Sequence, residues 1–286
     1  MPPDYKALKN GGFMRQVQKN CFSLRLKVVG GNLTAEQLCV IAEISRKYGR
    51  GTVHLTSRQG VEIPFIKLDD VERVRTELAE GGVDTGVCGP RVRTVTACQG
   101  RAICPGGCIE TYPLAEAISE RYFGRALPHK FKFGVVGCVN NCLKAEENDI
   151  GIKGGYAVSW LPEKCTLCGV CVPACRENAI AIDGGGLSMD DTRCNHCGRC
   201  VKSCPFDAWS GEPVYLLSFG GTFGNLIAKG EAILPILHTE EEIFRASDAA
   251  LAFFDQYGKP GERFRVSIER EGWASFQKYI TEAVYG

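Results

Sequence analysis

The sequence is poor in several residue types and has no long apolar run. Its 286 residues include only 3 methionines, 3 tryptophans and 4 histidines. No stretch of about 18 or more uninterrupted apolar residues occurs, so we expect no membrane span. The charges almost cancel to a net +1. This balance does not point to nucleic acid or to an anionic membrane surface as a partner, and we expect neither.

The amino terminus, Met-Pro-Pro-Asp-Tyr-Lys, lacks the charged and then apolar pattern of a secretory signal. We therefore expect a cytoplasmic protein. What the chain has in excess is cysteine, with 16 residues. In a chain of this length without an export signal, so many cysteines indicate metal ligation rather than disulfides.

The first third of the chain alternates between strand and helix patterns. The predicted elements are a strand at 21–29, a helix from 34 to 49, strands at 52–56 and 61–66, and a helix from 69 to 82. Thr34 and Gln37 have the spacing of a capping box, and Asp69 is a suitable N-cap for the second helix. The predicted order is β-α-β-β-α.

From residue 87 onward, strands are separated by loops that carry cysteines. The predicted elements are a helix at 114–123, strands at 131–136 and 214–219, and helices at 240–256 and 273–284. Residues 164–209 hold eight cysteines and few large apolar side chains, so a hydrophobic core alone cannot stabilise this segment. We interpret it as an insertion within a larger α+β domain.

Two cysteine runs in the insertion have the spacing of a bacterial ferredoxin. They are Cys165, Cys168, Cys171 and Cys175, followed by Cys194, Cys197, Cys200 and Cys204. In this pattern the fourth cysteine of each run binds the other run's cluster. The prediction is therefore two [4Fe–4S] clusters, one on Cys165, Cys168, Cys171 and Cys204 and one on Cys194, Cys197, Cys200 and Cys175. A pair of zinc sites is the alternative, but zinc sites use two cysteine pairs rather than runs of four.

A separate group of four cysteines has spacings of six and four residues. Its members are Cys98 and Cys104, then Cys138 and Cys142. These spacings suggest an iron–sulfur site without identifying it. Four cysteines remain, and we expect them to be bystanders, with Cys39 in the core and Cys108 as the one rival for ligand status.

Three pairs of basic residues are spaced two apart on segments predicted as strands. They are Arg25 with Lys27, Arg91 with Arg93, and Lys130 with Lys132. Residues two apart on a strand point to one face, so each pair presents two cations together. A solvated sheet face is the ordinary explanation for one such pair.

The sequences around the second cysteine group resemble the signature of sirohaem-dependent sulfite and nitrite reductases. The resemblance lies in Thr96-Ala97-Cys98 through Cys104 and in Gly137-Cys138-Val139-Asn140-Asn141-Cys142. The layout is similar to the compact dissimilatory and anaerobic members, with a ferredoxin module inserted. It implies a ferredoxin-like half-domain at 1–85, a sirohaem and [4Fe–4S] α+β domain at 86–162 and 210–286, and an inserted bacterial-ferredoxin domain at 163–209.

The resemblance also implies cofactors and site residues. Sirohaem and a third [4Fe–4S] cluster are expected, the cluster on Cys98, Cys104, Cys138 and Cys142, with Cys142 shared with the sirohaem iron. The residues expected to face the substrate are Arg25, Arg93, Lys130 and Lys132. Arg91 is nearly as plausible as Arg93 for the second arginine. The residues expected to bind the macrocycle are Arg58, Gln59, Arg91, Gly220, Gly221 and Thr222.

The function implied is the six-electron reduction of sulfite to sulfide, with nitrite reduction to ammonia as the near alternative. An electron carrier without haem and a tetrapyrrole-modifying enzyme are further alternatives. An electron-donor protein or subunit is expected as a partner. Larger members contain two related halves, whereas this chain contains one, so a homodimer with sites shared across its interface is expected.

Overall fold

The structure, a computed structural model, describes residues 3–286 and contains helices and three β-sheets. The helices are α1 (Tyr5–Asn10), α2 (Ala35–Tyr48), α3 (Val71–Glu80), α4 (Thr111–Tyr122), α5 (Cys171–Ala174), α6 (Arg199–Ser203), α7 (Glu240–Tyr257), α8 (Phe264–Glu271) and α9 (Trp273–Tyr285). The strands are β1 (Phe13–Arg15), β2 (Cys21–Arg25), β3 (His54–Leu55), β4 (Val61–Lys67), β5 (Thr96–Ala97), β6 (Phe133–Val136), β7 (Ile150–Trp160), β8 (Ile180–Asp183), β9 (Gly186–Met189) and β10 (Trp209–Phe219). The α+β class is confirmed.

The first sheet is antiparallel, in the order β1-β2-β4-β3, and it packs against α2 and α3. Burial alternates along β2, so that Phe22 and Leu24 enter the core while Arg25 stays half-exposed. The capping box of Thr34 and Gln37 is present, as predicted. The alternation therefore leaves the Arg25 side chain outside the core of this sheet.

The second sheet has the order β10-β7-β6-β5. Strands β5, β6 and β7 are parallel, whereas β10 runs antiparallel to β7 over its whole length. Aromatic side chains including Phe131, Phe219, Phe254 and Phe264 fill the core between this sheet and the carboxy-terminal helices. Burying a side chain of this size stabilises the fold by about 1.5–3 kcal/mol.

Strands β7 and β10 extend beyond the sheet as a two-stranded ribbon. Trp160 and Trp209 are register partners at its far end. The chain between them contains the hairpin β8–β9, the short helices α5 and α6 and a small apolar cluster that includes several cysteines. The domain limits at 163 and 209 stay a prediction.

Several expectations were wrong in detail. Asp69 is not the N-cap of α3, because residues Leu68–Asp70 form a 3₁₀ turn and Asp70 takes that position. Cys39 is exposed on α2 rather than buried. Only His54–Leu55 of the predicted strand 52–56 is paired.

Strand β7 was not predicted, because the three glycines within it weaken the strand pattern. The strand is stabilised by its pairing with β10. The glycines are needed because neighbouring backbone comes close: a Cβ at Gly154 would lie 2.6 Å from the carbonyl oxygen of Gly137. Helices α1 and α8 were also missed. In residues 3–286 we find no helix with the length and apolar character needed to cross a membrane. Residues 1 and 2, on which the signal-sequence expectation partly depends, lie outside the described part.

Candidate active site

A cavity of about 310 Å³ lies where the first sheet meets the second. Its charged lining residues are Arg25, Arg58, Arg93, Lys130, Lys132 and Glu62. Five cations therefore face one carboxylate. Such an excess of fixed positive charge in a concave site attracts an anion.

Arg25 reaches the cavity from the last residue of β2, opposite Glu62 on β4. Its Nε donates to Glu62 Oε1 at 2.5 Å, and its terminal nitrogen lies 3.5 Å from the sulfur of Cys88. The neighbouring basic residue of the pair, Lys27, instead pairs with Asp84 and lies over the ring of Phe123. Of this pair, Arg25 therefore lines the cavity and Lys27 does not.

Arg58 is partly buried and is held by two hydrogen bonds. Its guanidinium donates to Asn148 Oδ1 at 2.7 Å and to the carbonyl of Thr94 at 3.2 Å. Burial lowers the pKa of Arg58 to about 10, and the charge of Arg93 adds to this effect. The side chain thus remains a cation at neutral pH while its position is fixed.

Arg93 lines the cavity and Arg91 does not. The terminal nitrogens of Arg93 donate to the carbonyls of Val87 and Gly89, each at 2.9 Å. Its Nε is buried and has no hydrogen-bond partner among residues 3–286. A buried donor without a partner is costly, and an anion would satisfy it. Arg91 donates to the carbonyl of Gly124 at 2.7 Å, on the other side of this segment.

Lys130 and Lys132 flank the buried Phe131 and both line the cavity. Burial lowers the pKa of Lys132 to about 8, and the nearby charge of Arg58 contributes. Burial also lowers the pKa of Lys130, with further effects of Arg263 and Arg93. An amine with a pKa near 8 can both bind an anion and give up a proton near neutral pH.

Three charged residues of this region, Glu62, Asp149 and Arg263, were not predicted from the sequence. Glu62 pairs with Arg25, and Asp149 accepts hydrogen bonds from the backbone of Lys132 and from Arg263. Glu62 could have been found from strand alternation on β4. No spacing signal connects Asp149 with Arg263, because 114 residues separate them.

Besides Arg91 and Cys142, four expected cofactor contacts lie outside the cavity lining. The side-chain amide of Gln59 exchanges two hydrogen bonds with the backbone of Ala97, at 2.9 and 3.0 Å. Gly220, Gly221 and Thr222 form a turn against the backbone of residues 146–149. A side chain at Gly221 would collide with the carbonyl oxygens of Glu146 and Asn148, which explains the glycine there. The proposed contact of these residues with a macrocycle stays a prediction.

The second cysteine group is brought together at the carboxyl ends of β5 and β6. Cys98 follows β5, and its sulfur accepts the backbone N–H of Gly137 at 3.1 Å. Burial raises the pKa of Cys138, and the thiols of Cys142, Cys98 and Cys104 raise it further. As thiolates these four groups would repel one another, and binding to iron would offset that repulsion.

The cysteines and the cations lie at opposite ends of the same two parallel strands. Arg93 and Lys132 precede β5 and β6, while Cys98 and Cys138 follow them. The six residues from Lys132 to Cys138 span about 20 Å when extended. Within one chain, therefore, the cavity and the thiol group are separate.

The insertion contains two further cysteine pockets. One is lined by Cys165, Cys168, Cys171 and Cys204, and the other by Cys175, Cys194, Cys197 and Cys200. These are the two crossed sets predicted from the spacing. Backbone N–H groups of Ala179, His196 and Ala208 donate to the sulfurs of Cys175, Cys194 and Cys204 at 3.3, 3.4 and 3.3 Å.

The arrangement suits clusters better than single ions. In residues 3–286, no three histidine, cysteine, aspartate or glutamate side chains converge where they could hold one metal ion. The sulfurs instead surround open pockets, and in a [4Fe–4S] cluster each thiolate binds a different iron atom. Backbone N–H groups aimed at the sulfurs would stabilise the negative charge of such a cluster.

The pocket of Cys194 and Cys197 lies next to the second cysteine group. Lys202, on α6, donates to the carbonyl of Pro105 at 2.9 Å, and Pro105 follows Cys104. The Cys108 thiol is near enough to Cys138 and to Cys197 for both to raise its pKa. It is fully buried, and burial raises its pKa to about 11. Cys108 lines neither of the two cysteine pockets of the insertion.

Comparison with known proteins gives concordant matches. The model of the nitrite and sulphite reductase 4Fe-4S domain matches residues 88–285, and that of the nitrite/sulfite reductase ferredoxin-like half domain matches residues 14–81. The chain is 34% identical over 256 residues to coenzyme F420-dependent sulfite reductase of Methanocaldococcus jannaschii, covering 88% of this chain and 41% of that protein.

The chain is also 33% identical over 207 residues to one of the polypeptides of anaerobic sulfite reductase of Salmonella typhimurium, covering 66% of this chain and 61% of that protein. It thus spans less than two thirds of the length of either relative. The crystal structure of dissimilatory sulfite reductase I has a similar fold, with a TM-score of 0.72 and 20% identity, covering 91% of this chain and 69% of that chain.

Proposed function

The chain belongs to the nitrite and sulphite reductase family, and from this premise we propose that it is a sirohaem-dependent sulfite reductase. The reaction consumes six electrons and six protons and converts hydrogensulfite to hydrosulfide and three water molecules. The observation that carries the proposal is the cavity with five cations and one carboxylate. A small oxyanion that must gain protons needs such a site.

The residues present fit the expected cofactors. Sirohaem, when bound, supplies an iron centre that passes electrons to the central atom of the substrate. Its carboxylates and the oxyanion both suit a positive cavity that contains Arg58 and the buried, partnerless Nε of Arg93. The cavity is at the lower end of the usual range of about 300–1,000 Å³ for small-molecule sites, so a second surface is needed to enclose a macrocycle.

Within the cavity, the arginines and lysines have different roles. Arg25 and Arg93 are anchored to Glu62 and to backbone carbonyls, so they orient an oxyanion without reorganising. Lys132, with a pKa of about 8, holds a proton at neutral pH and can donate it to a departing oxygen atom. Lys130 provides a second ammonium group beside it.

We propose that the complete site requires two copies of this chain. The position of Lys132 and Cys138 beyond opposite ends of β6, a segment that spans about 20 Å when extended, supports this. In an isologous dimer, each cation cavity faces the Cys142 group of the other copy, giving two equivalent sites. The two-fold arrangement also supplies the second surface that the cavity lacks.

We further propose that the cysteine groups act in series. The pocket of Cys194 and Cys197 lies beside the Cys98 group, and the pocket of Cys165 lies farther along the insertion. Cys168, Val170 and Phe206 are exposed at this outer pocket. An electron-donor protein is expected to approach there.

The cofactor and the substrate are tested together with the purified protein. The visible spectrum is expected to contain resolved sirohaem bands, whereas iron–sulfur clusters alone give a broad shoulder. With a reduced viologen as donor, turnover of sulfite is expected to exceed that of nitrite. A spectrum with only the shoulder would favour the electron carrier, and vigorous nitrite reduction with negligible sulfite turnover would identify a nitrite reductase.

The shared site is tested by mixing two inactive chains. A Cys142→Ala chain and a chain with both Lys130→Ala and Lys132→Ala are each expected to lose activity. In a mixed dimer, one of the two sites has intact cysteines and intact lysines, so partial activity is expected. The control is a mixture of two Cys142→Ala chains carrying different tags. No recovery in verified mixed dimers would argue against a site shared between chains.

A further inference from the structure

Asp149 is a completely buried carboxylate behind the cation cavity. Its exposed fraction is 0%. One carboxylate oxygen accepts the backbone N–H of Lys132 at 2.9 Å, and the other accepts from the Arg263 guanidinium at 3.0 Å. A buried carboxylate is costly unless it is paired. These two contacts pair the carboxylate. They also fix the backbone of Lys132, from which its side chain extends.

Hydrogen bonds also connect Asp149 and its neighbour Asn148 to Gly220 and Arg58. The backbone N–H of Gly220 donates to the Asp149 carbonyl at 2.8 Å, and neighbouring Asn148 accepts from Arg58. Arg263 precedes α8, and its buried Nε has no hydrogen-bond partner in residues 3–286. Neither Asp149 nor Arg263 lines the cavity. Both therefore act on a substrate only through other residues.

The charges around Lys132 oppose one another. Burial lowers the pKa of Lys132, and Arg58, Arg263 and Lys130 lower it further, whereas Asp149 raises it. Burial likewise raises the pKa of Asp149, and Arg263 counters this rise. Asp149 thus favours the ammonium form of the lysine, while Arg263 favours the neutral amine.

We propose that Asp149 and Arg263 are positioning residues that balance the charge of Lys132, so that it can hold and then release a proton. The catalytic use of this balance rests on the proposed reductase function. The balance itself is a property of the folded chain. It can be measured without turnover.

The test compares two substitutions with opposite expected effects. Asp149→Asn removes the negative charge and is expected to lower the pKa of Lys132 by about one pH unit, while Arg263→Gln removes a positive charge and raises it by a similar amount. The measurement is labelling of Lys132 by acetic anhydride across a pH series in the purified protein. Mass spectrometry quantifies the labelled peptide, with exposed Lys6 as the internal reference.

The controls remove charges of the same kind elsewhere. Arg125 and Asp255 form an exposed ion pair at 2.6 Å, so Asp255→Asn and Arg125→Gln should leave the titration of Lys132 unchanged. The double variant Asp149→Asn with Arg263→Gln should titrate between the two single variants. It also replaces the Asp149→Asn protein if that variant does not fold.

The outcomes separate the two proposals. Shifts of opposite sign support the charge balance, whether or not the protein reduces sulfite. Shifts of the same sign, which general loosening of the fold would give, overturn it, and so does the absence of any shift. If the opposite shifts appear in a protein that reduces neither sulfite nor nitrite, the proposed function fails and the charge balance stands.

Discussion

Replacing Cys142 with alanine is expected to lower kcat for sulfite at least about 10³-fold. Cys142 lies in the one cysteine group outside the insertion, and the resemblance assigns it the contact with the sirohaem iron. Losing one of four thiolates should release that cluster while the two pockets of the insertion keep theirs. Iron per chain should therefore fall by about one third. Turnover, iron analysis and the visible spectrum measure these effects.

The matched control is Cys39→Ala. Cys39 is exposed on α2, away from the three cysteine groups, so this variant should retain its iron and activity. If the Cys142→Ala protein keeps both a full iron content and its rate, the assignment of this cysteine group to a catalytic cluster would be wrong. Loss of iron from all three groups together would instead indicate that the fold had failed.

Replacing Lys132 with methionine should lower kcat by about 10²–10³-fold, the effect typical of losing one donor in a preorganised anion site. The pH dependence should also change. Because the pKa of Lys132 is about 8, activity of the unaltered protein that depends on the ammonium form falls as the pH rises through this value. The methionine variant should lack that alkaline limb. A pH series of kcat measures it.

Two controls distinguish proton donation from charge and from folding. Lys132→Arg keeps the positive charge, but a guanidinium does not release its proton near neutral pH. This variant should therefore lose less of its affinity for sulfite than of its kcat. Folding lowers the pKa of Lys132, so the protonated lysine opposes folding at neutral pH, where both folded and unfolded states bind the proton. Lys132→Met should therefore not lower the melting temperature at pH 7. A large decrease there would attribute lost activity to instability.

The cysteines of the insertion could be grouped from sequence because their pattern is local. Each run spans about ten residues, and the structure brings the crossed sets together as the spacing indicated. The cation site was harder to predict. Each pair spaced two apart was expected to share a face, yet Lys27 and Arg91 have partners outside the cavity. The strand segments there are short and irregular, so simple alternation does not hold.

What sequence reasoning missed depends on contacts between distant segments. Asp149 meets Arg263 across 114 residues, and Arg58 meets Asn148 across 90. No local pattern records such pairs. Strand β7 was not predicted for a related reason. Its glycines are needed where the backbone of other segments comes very close, and these close contacts exist only in the folded chain.

The ribbon of β7 and β10 has an evolutionary consequence. Trp160 and Trp209 face each other at its tip, so the whole cysteine-rich insertion leaves and re-enters the chain at one point. A short hairpin turn could replace residues 161–208 without changing the register of either strand. One recombination event could therefore insert or remove the whole cysteine-rich segment and leave the pairing of the sheet beneath it unaltered.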